Sequence, residues 1–199
     1  MLALSNLLTI ILAVIQQWDV HVLMWIYWAQ SVIIGYFNVR RILALEKFTT
    51  SGFMINNKPV QRTAEGKRQT ALLFAAHYGI FHLGYMVFLI TMSGGQSAVS
   101  VFSMLVCIIA FYLNHRFSYH YNRERDRAGI PNLGNLMSFP YVRIIPMHLM
   151  IVIGSNFLGN NSAALVFFLL LKTAADVGMH VIEHAMARGD AKRARRRLP

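Results

Sequence analysis

Ala163 to Ala187 reads AALVFFLLLKTAADVGMHVIEHAMA, and the fold is decided by how this stretch is taken. Its length and its apolar first half mark a transmembrane helix. Its second half carries Lys172, Asp176, His180, Glu183 and His184. At about 100° per residue these five groups fall within an arc of about a third of the helix. The opposite face is Phe167, Leu171, Gly178, Val181, Ile182 and Ala185. An ionisable side chain in hydrocarbon costs roughly 2.5–3.5 kcal/mol on insertion scales, so such groups face a bundle interior or a cavity. Five of them on one face predict a polar site inside a helix bundle.

The rest of the chain supplies that bundle. Of 199 residues, 56% are hydrophobic and 14% charged, and the charge is unevenly spread. No Lys, Arg, Asp or Glu occurs between Gln69 and His115, or between Ile144 and Leu171. Apolar runs of about 18 or more residues read as membrane spans. The spacing predicts six: 2–17, 20–43, 69–92, 98–115, 144–158 and 163–187. The first reads as a span rather than a cleavable signal, because no basic segment precedes it. Between the fourth and fifth, Ile130 to Tyr141 carries Pro131, Gly134 and Pro140, and reads as a broken interfacial segment. Gly79 and Gly84 are expected to allow close helix approach.

The net charge of +11 would suit nucleic acid, but its placement argues otherwise. Seven of the 19 Lys and Arg lie between Arg40 and Arg68, five between Arg116 and Arg143, and six between Arg188 and Arg197. The remaining one is Lys172. This alternation is the positive-inside pattern and predicts both termini in the cytoplasm. The expected molecule is an all-α integral membrane protein. Residues 1–187 form a six-helix domain, and 188–199 form a basic cytoplasmic tail. Its expected partners are membrane lipids, with anionic headgroups at the basic face, and a second copy of the chain. Nucleic acid is not expected. Cys107 is the one cysteine and offers no disulfide.

Depth then groups the polar residues. At about 1.5 Å per residue, His77 lies about 12 Å from the inner end of its span and His148 about 6 Å from the start of its own. His77, His148, Asp176, His180 and His184 are the candidate metal ligands, since imidazole and carboxylate suit a divalent transition metal, zinc above all. His180-x-x-Glu183-His184 also fits the inverted zincin pattern, with Glu183 as the base. Gln30, Asn38, His82, His115, Arg143 and Lys172 complete the polar network. Three other readings stay open: haem held by histidines on different helices, a proton or ion path along Lys172, Asp176 and Glu183, and a structural network of hydrogen bonds.

Four motifs carry a resemblance. Tyr27-Trp28-Ala29-Gln30-Ser31 running on to Asn38, His77-Tyr78-Gly79-Ile80-Phe81-His82, Arg143-Ile144-Ile145-Pro146-Met147-His148 and Lys172-Thr173-Ala174-Ala175-Asp176 with His180 are similar to signatures of a family of uncharacterised bacterial multi-pass membrane proteins. That likeness implies the bacterial inner membrane and no particular activity. The family pattern has a glutamate where this chain has Gln30. The His180-x3-His184 pair also resembles the last helix of the alkaline ceramidase and adiponectin-receptor superfamily. That likeness implies an intramembrane zinc hydrolase acting on lipid.

Overall fold

The computed structural model describes residues 2–16, 18, 20–91, 101–149, 171, 173–175 and 178. Among them the chain is mostly helical. The helices are α1 (Leu2–Ile15), α2 (Val20–Leu43), α3 (Ala64–Thr91), α4 (Val101–Ala128) and α5 (Leu133–Leu149). A two-stranded hairpin, β1 (Met54–Ile55) and β2 (Lys58–Pro59), lies between α2 and α3. Among the described residues three helices are long and apolar enough to cross a membrane: α2 from His21, α3 and α4. Their outer faces suit lipid, with Leu72, Ile80, Leu83, Val87, Ile90, Leu105, Ile109 and Leu113 exposed. α1, at about 21 Å, is shorter than the roughly 30 Å of a bilayer core.

Side-chain pairings fix the helix directions. Trp28 Nε1 donates to the His82 carbonyl, and the Tyr78 hydroxyl donates to the Ser31 carbonyl, so α2 and α3 are antiparallel. Tyr27 meets Phe111, Phe37 meets Tyr119 and Arg41 meets Asp126, so α2 and α4 run the same way. His77 meets Tyr141 and Tyr85 meets His148, so α3 and α5 are parallel. The four helices therefore alternate, and the basic ends of α2 and α4 lie together. Away from that end, Leu23, Met24, Ile26, Leu89 and Phe111 form a buried apolar cluster.

Several boundaries differ from the sequence reading. α3 starts at Ala64 because Thr63 caps it: the Gly66 N–H donates to Thr63 Oγ1 at 3.1 Å. Thr63→Ala should cost about 1 kcal/mol in a denaturant titration of the detergent-solubilised protein. α4 runs on to Ala128, so the charged run Arg123–Arg127 is helical.

The largest difference is α5. The segment expected to be broken is its first half, and the helix passes through Pro140. Proline has no N–H for the carbonyl four residues back. That carbonyl belongs to Leu136, and Asn38 Nδ2 of α2 donates to it at 3.0 Å. Asn132 caps the helix start, accepting the Asn135 N–H at Oδ1. The glycines also change roles. Among the described residues, a Cβ at Gly79 or Gly84 would meet open space, whereas one at Gly35 would sit 2.6 Å from the Tyr78 ring.

The loop after α2 is folded onto the start of α5. Asn56 and Asn57, with φ of 51° and 59°, form the two-residue turn of the hairpin. The Thr49 N–H donates to the Pro131 carbonyl, and the Leu133 N–H donates to the Thr49 carbonyl. Asn132 Nδ2 reaches the Ser51 carbonyl, and Phe53 packs on Gly134.

Candidate functional site

Two polar regions emerge. The first lies between α2, α3 and α5. Gly35 leaves room for the Tyr78 ring, which stacks on Phe74 at 4.9 Å and on His82 at 4.2 Å. His82 is buried, and its Nδ1 lies 2.8 Å from the Tyr78 carbonyl. A carbonyl only accepts, so Nδ1 carries the proton and the lone pair of the neutral ring is on Nε2. Nε2 is buried without a hydrogen-bond partner among the described residues.

The same region holds two tyrosine–histidine pairs across α3 and α5. His77 Nδ1 and the Tyr141 hydroxyl are 2.8 Å apart, and His148 Nδ1 and the Tyr85 hydroxyl are 3.2 Å apart. Both imidazoles are exposed. In the Nδ1–H tautomer each ring donates to its tyrosine and leaves Nε2 for another ligand. The pairing also corrects a depth. His148 is level with Tyr85, eight residues beyond His77 on α3, or about 12 Å further along the bundle. Two nitrogens on one zinc stand about 4 Å apart or closer, given bonds of roughly 2.0–2.1 Å. One ion therefore does not take both His77 and His148. The error in the sequence reading came from counting depth from Ile144, whereas α5 begins at Leu133.

The second region is the basic end. Arg41 Nε and Nη2 donate to both carboxylate oxygens of Asp126, at 2.6 and 2.8 Å. Asp126 is 8% exposed. Beside this pair is a cleft of about 80 Å³ between α2, α4 and α5, with Asn38, Arg41, His115, Ser118, Tyr119 and Asn122 among its walls. Ile34, Phe37, Phe139 and Pro140 make it apolar on the other side. Arg40 lies over the Tyr119 ring, 5.3 Å from its centre.

The sequence candidates therefore separate. Asn38 and His115 belong to the cleft; His77, His82 and His148 belong to the α3–α5 side. Gln30 is buried, on the stripe of α2 with Tyr27, Ile34, Phe37 and Arg41 that faces α4. Arg143 belongs to α5, and its side chain falls outside the described residues, as do Lys172, Asp176, His180, Glu183 and His184. Among the described residues no group of three or more His, Cys, Asp or Glu could hold a metal. Asp126, Tyr85, Tyr141, Ser118 and Asn122 were not singled out from the sequence. The heptad spacing of Tyr141 and His148, which puts both on one side of α5, was the available signal for the two pairs.

One protein-family model, described as a family of unknown function, matches residues 1–193. No curated protein and no solved structure matches the chain.

Proposed function

The chain belongs to that family, DUF6498, which brings no activity with it, and we propose from the chain's own chemistry that it is a multi-pass protein of the bacterial cytoplasmic membrane with an intramembrane zinc site. The alternating helix directions and the basic clusters at one end favour six spans with both termini in the cytoplasm. The site would draw on His77 of α3 and on Asp176, His180 and His184 of the last apolar stretch. At about 1.5 Å per residue His77 lies about 12 Å beyond Gln69, and if the last apolar stretch is a helix ending at Arg188, His180 would lie at the same depth, with His184 and Asp176 one turn to either side. His148, level with Tyr85, lies about 24 Å in and leaves the ligand set.

One observation carries the reading: the Tyr141 hydroxyl holds His77 at Nδ1 while the ring stays exposed. A metal-ligating histidine characteristically has its second nitrogen fixed by such a partner. An exposed imidazole at this depth also calls for a polar partner, and the five ionisable groups of the last stretch would supply it. Bound zinc would provide Lewis acidity, and Glu183 is the candidate base, so the activity proposed is hydrolysis of a membrane lipid.

Elemental analysis of protein purified without chelator or polyhistidine tag tests this. One zinc per chain without a visible absorption band is expected. His77→Ala and His180→Ala should lose the metal, His148→Ala should keep it, and Tyr141→Phe should weaken it about 10–100-fold. Zinc retained in His77→Ala would sink the ligand assignment. Iron with a Soret band would replace it with haem.

A further inference from the structure

We propose that the cleft between α2, α4 and α5 at the basic end of the bundle binds the phosphate of an anionic phospholipid. The inference rests on the membrane placement proposed above and not on the zinc site.

The lining changes character along the cleft. Ile34 and Phe37 lie on its apolar part, and Arg41 ends it two turns further along α2, about 10 Å away. That is the step from acyl chain to headgroup. Asn38, Ser118 and Asn122 bring amide and hydroxyl groups to the same space. Asn122 Nδ2 donates to Ser118 Oγ, which leaves its second N–H for an acceptor. A site for one water needs about 10–15 Å³ by the same measure of volume. The roughly 80 Å³ here therefore accommodates a phosphate with its nearest hydration.

Charge points to the sign of the occupant. Arg41 is neutralised by Asp126 and serves as a fixed wall. Two further guanidiniums lie beside residues of the cleft's wall, and among the described residues neither makes an ion pair. Arg40 is held over the Tyr119 ring and touches the Tyr36 hydroxyl. Arg123 adjoins the Arg41–Asp126 pair, and its Nε is buried without a hydrogen-bond partner among the described residues. Glu46, which borders the smaller cavity together with Arg123, pairs with Arg127. Surplus positive charge beside a half-apolar cleft at the end of a membrane bundle complements an anionic headgroup whose chains continue into the bilayer.

The test is native mass spectrometry of the full chain released from detergent. Adducts are compared for phosphatidylglycerol, phosphatidylcholine with the same acyl chains, and inorganic phosphate. Phosphatidylglycerol should be retained in clear preference to phosphatidylcholine. Arg40→Gln leaves the Arg41–Asp126 pair intact and should weaken phosphatidylglycerol about fivefold. Asn122→Leu, close in volume, should weaken it too. The double substitution Lys58→Gln/Arg62→Gln, which removes as much charge or more from the hairpin loop, should have little effect. Equal retention of the two lipids would overturn the proposal. So would equal losses in the hairpin variant, which would mean diffuse surface charge. Displacement by inorganic phosphate at matched concentration would assign the cleft to a soluble anion instead. Zinc content, read separately, leaves these outcomes unchanged.

Discussion

Asp126→Ala is expected to lower the stability of the protein by about 3–5 kcal/mol, the range for removing one partner of a buried ion pair. The magnitude follows from burial. Both carboxylate oxygens accept from one guanidinium, and the two side chains are 8% and 14% exposed. Without the carboxylate, Arg41 keeps its charge, because a guanidinium does not deprotonate in a protein. Two further guanidiniums, Arg123 and Arg127, line the same small cavity. Arg41→Lys should also destabilise the protein, by less, since an ammonium keeps the charge but does not make the two-pronged contact. Denaturant unfolding in detergent measures both. A loss below about 1 kcal/mol for Asp126→Ala would mean that the pair behaves as a solvated surface contact.

Gly35→Ala is the second large effect expected, a loss of about 1–3 kcal/mol from overpacking. The added methyl would sit 2.6 and 2.8 Å from two ring carbons of Tyr78. The ring has no easy retreat. It is stacked on Phe74 on one side and His82 on the other, and its hydroxyl is bound to the Ser31 carbonyl. A shift of α2 away from α3 would also stretch the Trp28 bond to the His82 carbonyl. In a Tyr78→Leu background the same substitution should cost less than half as much, because the clashing ring is gone. Equal costs in the two backgrounds would show that the glycine matters for helix propensity or another contact, and not for this ring.

The parts legible in the sequence are those set by local pattern. The apolar runs gave α2 to within its ends. The clustering of Arg and Lys placed Arg41 and the Arg123–Arg127 run at the same end of the bundle. What escaped was long-range compensation. Asp126 looks like one member of a mixed, solvated charge run, and its partner is 85 residues away. Pro140 looks like a break, and its remedy is an asparagine on another helix. Reading α5 from Leu133 moves every depth on it, which is why His148 left the company of His77. The polar face expected on the last apolar stretch lies outside the described residues.

The junction of the two loops has a consequence for the order in which the molecule is made. Ser51 and Asn132 are joined across 81 residues, and Thr49 takes both of its backbone partners from the same distant segment. A nascent chain that has completed α2 and α3 therefore carries an unfinished connection, open at Thr49 until Pro131 to Leu133 have left the ribosome. Through that interval α2 and α3 are held together by the Tyr78 and Trp28 contacts and by the apolar cluster of Leu23, Met24 and Ile26 with Leu89. The arrival of α5 closes two gaps at once, the open loop and the carbonyl beneath Pro140. Chains stopped before residue 131 should accordingly be cut by protease in the 45–62 segment, and chains extended past Leu149 should resist.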